Sequence, residues 1–351
     1  MPSRGFSVGR GIPANAPDGP PRRKNVTSRA SDLANSAEAA WSRRRVLACL
    51  GAWPLAAGAF GAVPAIAETG PLRFTHTFGE TVLPGPARRV VSLGYTTHDA
   101  LLALGVPPVA VRYWFGDFSY GVWPWAQPYL GDARPFVLTG EVAMERVAAL
   151  KPDLIVGIGS GISRAEYQVL SHIAPVLMHE DADTSYGMPW DVMTRTLGRA
   201  LGKSAQAEIL VSGVREKFSA ARARHPDWAG KTAVPAYHWG GETGAFVGAD
   251  SRARFFIELG FQPTPAVANL SGPSGFYAPL SPEDLSPLDA DILVWISSYG
   301  AVPDLVALPM RRTLRAHIEG GRSWQARLSP VRCRSAACCR FPSFSKSWKP
   351  I

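Results

Sequence analysis

One stretch concentrates side chains that could hold a ligand. RYWFGDFSYGVWPWAQPYL, residues 112–130, places eight large rings behind a single guanidinium, Arg112. So many rings in a Gly- and Pro-containing loop cannot all enter one core at strand or helix spacing. Tyr113 and Trp114 are read toward a ligand, and Trp123 and Trp125 are expected to divide between a satellite core and a cleft. Arg112 stands near the C-terminal end of a predicted strand, where open α/β sheets bind ligands, and a guanidinium suits an anion. A second group lies further along. Tyr237, His238 and Trp239 end a predicted strand, Tyr277 sits in a loop, and Ser297-Ser298-Tyr299 follow another strand. Tyr95 and Ser160 occupy matching places earlier in the chain. Together these residues describe an aromatic, hydrogen-bonding cleft for a bulky, partly apolar ligand.

Other chemistries find less support. The seven His show no H-x-H or H-x₃-H clustering, so no protein-built zinc or manganese site is expected. Gly157-Ile158-Gly159-Ser160-Gly161 follows a predicted strand but fits neither phosphate-binding glycine pattern. No G-x-S-x-G elbow and no H-E-x-x-H pair occurs. Three of the four Cys, Cys333, Cys338 and Cys339, lie near the C-terminus and the fourth is Cys49, so residues 68–319 contain no Cys-based metal site or disulfide.

The elements that would position the cleft announce themselves by repetition. MERVAALKPDLIVG (144–157) and PEDLSPLDADILVW (282–295) share a frame: a Glu, a Leu five residues on, an Asp eight on, then an apolar triplet. Each reads as a short helix, a tight turn and a buried strand. In the second copy Ser281 reads as an N-cap with Pro282 at the first helical position. Two copies far apart predict two similar α/β lobes. RVVSLG (89–94), PVAVRYW (108–114) and PVLMH (175–179) read as further strands of the first lobe. HDALLALG (98–105), with a Thr able to cap it, and ISRAEYQVLSHIA (162–174) read as its helices. The second lobe is expected to mirror the first: strand 231–239, a Gly-rich turn, helix 251–260, and a last helix at 309–320. Between them, DVMTRTLGRALG (191–202) and the 204–224 segment have helical period. The longer one, with Ser204 as N-cap, is read as the bridge between lobes. The resulting division is 68–190 for the N-terminal lobe, 191–224 for the bridging helices and 231–319 for the C-terminal lobe.

The formal charge of +9 belongs to the ends: residues 1–67 carry a net +6, residues 320–351 a net +7, and the middle a net −4. The basic balance is therefore no argument for nucleic acid. Residues 1–41 read as a disordered leader. Residues 42–67 read as a twin-arginine-type signal peptide: SRRRVL, an apolar run over 47–63, and Ala65-Ile66-Ala67 as cleavage site. Residues 320–351, with no acid, read as an aberrant, basic, Cys-rich tail that leaves the C-terminal lobe incomplete.

ARRVVSLG…ALLALGVPPVAV, MERVAALKPDLIVG, the bridging helix and LSPEDLSPLDADILVW resemble, in that order, the extracytoplasmic solute-binding proteins of ABC importers for iron-siderophores, haem and cobalamin. The resemblance implies a class III periplasmic-binding-protein fold, two Rossmann-like lobes joined by a long rigid helix. It implies a monomer, without catalytic activity, that captures a ferric siderophore between the lobes and delivers it to a permease dimer. Iron would enter only as a chelate, so no resident cofactor is implied. In the family, one Glu on each lobe tip meets permease Arg residues; the matching residues are Glu145 and Glu283. Favouring a helix N-terminus is the alternative account of both, and the duplicated position favours docking. Two alternatives remain. One is a haem or cobalamin receptor of the same family, with Tyr237 or His238 as axial ligand. The other is an exported enzyme acting on a siderophore.

Overall fold

The structure is a computed structural model. It describes residues 70–180, 184–270, 275–296, Leu305 and 307–318, and the backbone of Trp324–Gln325. All lie in one compact unit, Ala65–Ile351. The twin-arginine segment, most of the C-terminal tail, Ser297, Ser298 and Tyr299 lie outside the described residues.

Two separate five-stranded sheets form, each with a buried middle. The first contains β3 (Val90–Ser92), β4 (Ala110–Arg112), β5 (Phe136–Leu138), β6 (Leu154–Val156) and β7 (Val176–Leu177). Its order is β5-β4-β3-β6-β7 and every pairing is parallel. The triplets Val90-Val91-Ser92 and Leu154-Ile155-Val156 are buried on both faces, as a sheet covered by helices requires. Ahead of this sheet runs a hairpin, β1 (Leu72–His76) and β2 (Gly79–Leu83), whose buried Leu72, Phe74 and Leu83 join the first core. Strict alternation over 72–76 is its sequence signal, one that the strand assignments above do not include.

The second sheet contains β8 (Ala233–Trp239), β9 (Glu242–Phe246), β10 (Tyr277–Leu280), β11 (Ile292–Trp295) and β12 (Trp324–Gln325), in the order β10-β9-β8-β11-β12. Half of it mirrors the first: β8, β11 and β12 are parallel, matching β3, β6 and β7. The other half does not. Gly240 and Gly241, both at positive φ, close a tight β8–β9 hairpin, so the stretch read as a Gly-rich turn is itself a strand. The tail read as aberrant contributes β12 at the sheet edge. Two antiparallel reversals return β10 to the direction of β8.

The duplicated Asp has a clear job. Asp153 accepts hydrogen bonds from the amides of Arg88 and Arg89, at 2.8 Å each, at the start of β3. Asp291 accepts from the Thr232 amide at 2.7 Å and from its hydroxyl at 2.8 Å, at the start of β8. Each carboxylate thus pins its own strand to the central neighbour. The Thr232 amide, then the Thr232 hydroxyl, hold the Asp291 carboxyl below the usual carboxylate range; partial burial opposes them. Asp291→Ala is expected to lower the unfolding free energy by about 1–2 kcal/mol at pH 7, the range for charge-assisted bonds at a part-exposed site. The group's folded pKa is depressed, so this contribution is complete above the ordinary carboxylate pKa of about 3.9 and is lost as pH falls through the lower folded value. Urea unfolding of both proteins at pH 7 and near pH 2.5 checks it; the gap between them should narrow at the lower pH.

The helices bounded among the described residues are α1 (Thr97–Ala103), α2 (Met144–Ala149), α3 (Arg164–Ser171), α4 (Trp190–Ala200), α5 (Ser204–Arg224), α6 (Ser251–Glu258), α7 (Pro265–Ala268) and α8 (Arg315–Ile318). Helix α3 opens on a full capping box between Ser163 and Glu166. The Thr96 side chain makes no capping bond to α1, and Ser204 is the first residue of α5 rather than its cap, a place taken by Lys203. The helix expected from Ser281 does not form. Ser281 Oγ accepts from the Glu283 amide at 3.3 Å and Asp284 Oδ1 from the Ser286 amide at 2.9 Å. These local bonds compete with helical ones. A turn and a 3₁₀ segment, Ser286–Leu288, result. Likewise 309–318 divides into a 3₁₀ turn, Pro309–Thr313, and α8.

Helix α5 is the bridge. Ala207 and Leu210, near its start, pack in the first lobe's core beside Leu197 and Leu201. Phe218 and Ala221, near its end, pack with Phe256, Leu259 and Phe261 of the second lobe. The Trp190 indole of α4 donates to Glu258 of α6 at 2.8 Å, a second tie across the lobes.

Candidate functional site

Strand order reverses between β3 and β6, and the loops after these strands form the crevice rim. Tyr95 follows β3, and its amide donates to the Gly159 carbonyl in the loop after β6 at 3.3 Å. Arg112 ends β4. Its guanidinium donates to the Ser160 carbonyl at 3.1 Å, reaches the Gly140 carbonyl at 3.5 Å, and lies 5.0 Å from the centre of the Tyr95 ring. The charge is held in place by carbonyl dipoles and a ring face, with no carboxylate bonded to it among the described residues.

A run of rings extends from this point across both lobes. Trp114, 44% exposed, lies 6.0 Å from Tyr95. Tyr95 stacks on Tyr186 at 6.5 Å, and Tyr186 meets Phe276 edge-on at 5.4 Å. Phe276 touches Tyr277, and Tyr277 meets Tyr237 at 5.9 Å. Gly244, opposite Tyr237 in the β8–β9 ladder, leaves room for that ring: a Cβ there would collide with it. Gly161 similarly makes room for the Tyr186 hydroxyl.

Protonation follows from these surroundings. Burial raises the Tyr186 pKa, Tyr95 adds to the rise, and Arg112 opposes it. Burial, then the 2.7 Å hydrogen bond from its hydroxyl to Glu242, push Tyr237 well above the usual phenol range. Both phenols are therefore neutral donors at physiological pH.

The structure redistributes several of the expected ligand contacts. Trp123 is 3% exposed and stacks on Trp125 at 4.9 Å, with Phe115 and Phe118 against its other sides. Both indoles belong to the packing under the loop. Trp125 is half-buried, and its N–H is tied to Asp99 at 3.1 Å. Trp123 supports Trp114 from beneath rather than facing a cleft. Ser160 is 2% exposed and its hydroxyl closes its own turn on the Gly157 carbonyl, so its contribution is the carbonyl that orients Arg112. Strand alternation sends His238 to the face opposite Tyr237, where Nδ1 pairs with Thr243 at 2.7 Å. Tyr237 and His238 thus do not share one site. Trp239 stands 74% exposed at the hairpin end, and Tyr113, half-buried, extends the ladder by donating its amide to Leu138.

Two residues of the run carried no sequence signal strong enough to select them. Tyr186 lies in the crossover before α4, with nothing periodic around it. Phe276 was one of two rings in a Pro- and Gly-rich loop, with no pattern to set it apart from Tyr277.

Glu145 and Glu283 hold equivalent places. Each follows the edge strand that heads its sheet order, β5 or β10, at the same end of its sheet. Both are exposed, and neither carboxylate has a partner among the described residues. Glu145 is in the first turn of α2, but Glu283 is on no helix, so a helix-dipole account fails for it.

Comparison with known proteins gives concordant results. The sequence profile of a family described as periplasmic binding protein matches residues 90–316. YhfQ of Bacillus subtilis, a lipoprotein named for substrate binding in an ABC transporter, is 30% identical over 148 residues, covering 41% of this chain and 44% of that protein. YfiY of the same organism, named as a siderophore-binding lipoprotein, is 27% identical over 224 residues, covering 61% and 65%. The chain thus spans about half to two thirds of these relatives' lengths. A crystal structure of a periplasmic solute-binding protein from Mycobacterium smegmatis superposes with a TM-score of 0.63 at 34% identity, covering 72% of this chain and 87% of that one.

Proposed function

We propose, from the premise that the chain belongs to the periplasmic binding protein family, that it is the substrate-binding component of an ABC importer and carries a ferric siderophore between its lobes. The observation that carries the reading is the run of rings from Trp114 to Tyr237 with Arg112 at its first-lobe end. A siderophore completes the coordination sphere of its iron, so the protein need supply only a surface for the organic shell. Rings and the neutral Tyr186 phenol suit that shell, the Tyr237 hydroxyl being committed to Glu242, and Arg112 suits a chelate oxygen. The relative named for siderophore binding supports the choice of cargo. Export through the twin-arginine segment at 42–67 and delivery to a permease dimer complete the proposal.

Tryptophan fluorescence tests it, because Trp114 lies in the run and Trp123 packs against it. Titration with ferric chelates is expected to give saturable quenching, and the chelate should be recovered unaltered. Release of a hydrolysed siderophore would instead support the enzyme alternative.

A further inference from the structure

We propose that Asp99 is a positioning residue of the candidate site. Through the Trp125 indole and Trp123 it sets where Trp114 stands against Tyr95, at the first-lobe end of the ring run. The proposal rests on the reading of that run as the cargo surface and concerns how one end of it is held.

Asp99 lies in the first turn of α1 and is 5% exposed. A buried carboxylate is costly unless its oxygens are met. One of them, Oδ2, accepts the Trp125 indole N–H at 3.1 Å; the other faces His98 Nε2 at 3.6 Å, beyond hydrogen-bond length. An apolar side chain of that size would seat α1 against its neighbours without this cost, so packing alone does not account for an acid here. What the acid does is fix one ring. Trp125 belongs to the aromatic loop, while α1 starts at Thr97, just after Tyr95. The bond therefore ties the far side of the loop to the element that carries Tyr95.

Stacking passes that placement on. Trp125 lies nearly parallel to Trp123, with 13° between planes and 4.9 Å between centres. Trp123 is buried and meets Trp114 edge-on at 6.4 Å, and Trp114 meets Tyr95 at 6.0 Å. Phe115 and Phe118 close on Trp123 at 4.9 and 4.7 Å, so its indole cannot turn without moving them. The loop is also held in a backbone conformation it would not choose alone: Tyr120 has φ 60°, in the left-handed region that non-Gly residues avoid. Such backbone persists where its surroundings fix it. Ring contacts are weakly directional beside a charge-assisted hydrogen bond, so the carboxylate sets the angle of the stack.

The test compares the purified full-length chain with three variants. Asp99→Leu keeps the bulk and loses the acceptor, Asp99→Asn keeps an acceptor, and Trp125→Phe keeps a ring and loses the donor. Acrylamide quenching of Trp114 is read in each as the difference from the same protein carrying Trp114→Phe. It is expected to rise in Asp99→Leu and Trp125→Phe, by up to about twofold since Trp114 starts 44% exposed, and to keep its wild-type value in Asp99→Asn. Each protein is then titrated with a ferric trihydroxamate, a ferric tris-catecholate and ferric citrate. Asp99→Leu and Trp125→Phe should lose about tenfold in affinity for whichever chelate wild type binds, and Asp99→Asn less than about twofold. The double variant Asp99→Leu, Trp125→Phe should bind no more weakly than the weaker single variant, because both act through one bond. Should Asp99→Leu not fold, Trp125→Phe and Asp99→Asn carry the same comparison. Lower stability in urea with unchanged Trp114 quenching, or changed quenching with unchanged affinity, would overturn the positioning role. No saturable binding by wild type would overturn the receptor reading, and the quenching comparison would still decide whether Asp99 places Trp114.

Discussion

Arg112→Ala is expected to weaken chelate binding by about 10- to 100-fold while leaving the fold in place. The figure is that for charge-assisted hydrogen bonds, about 1.5–3 kcal/mol. The side chain is only half-buried, and its partners are two carbonyl oxygens and a ring face, so its removal uncovers little apolar surface. Arg112→Lys should recover only part of the affinity. An ammonium cannot lie flat over the Tyr95 ring and also reach the Ser160 carbonyl with a planar fork. Quenching titrations measure the affinity and circular dichroism checks the fold. Wild-type affinity in Arg112→Ala would remove this guanidinium from the site.

The double variant Glu145→Ala, Glu283→Ala is expected to abolish uptake and to leave chelate affinity within about twofold of wild type, since neither residue touches the ring run. The structure adds two reasons to those available from sequence. The carboxylates leave equivalent edge strands at the same end of their sheets, and both are exposed. Glu283 lies in a turn rather than at a helix start, so capping offers no account of it. Transport of labelled ferric chelate by cells carrying the variant gives the readout. Normal uptake would rule out docking through this pair.

Much of the architecture could be read from the chain because it is written in local rules. The buried triplets after Asp153 and Asp291 needed only burial on both faces, and the Asp recurs because each copy has the same strand start to hold. The bridge was legible from its helical period, and its two ends found separate cores as expected. Strand β9 was less legible: Gly240-Gly241 signals a hairpin only if Thr243 and Ala245 are taken as an alternating strand. The helix read from Ser281-Pro282 failed because favourable capping residues also make turns, as Ser281 and Asp284 do here. Trp123 and Trp125 were expected to divide between a satellite core and a cleft. The structure packs Trp123 beneath the loop and ties the half-buried Trp125 to Asp99. Composition cannot tell the floor of a loop from its face. Tyr186 was missed because its importance lies in three partners, Tyr95, Phe276 and Gly161, none of them near in sequence.

The single helix that seats Ala207 in one core and Phe218 in the other acts as a fixed spacer. Under the proposed importer role, such a spacer would let cargo tilt the halves only slightly, and empty and loaded forms would then present Glu145 and Glu283 at nearly one separation. Vacant copies would compete with full ones for the same membrane berth, so import would be fastest where receptor number tracks the supply of cargo.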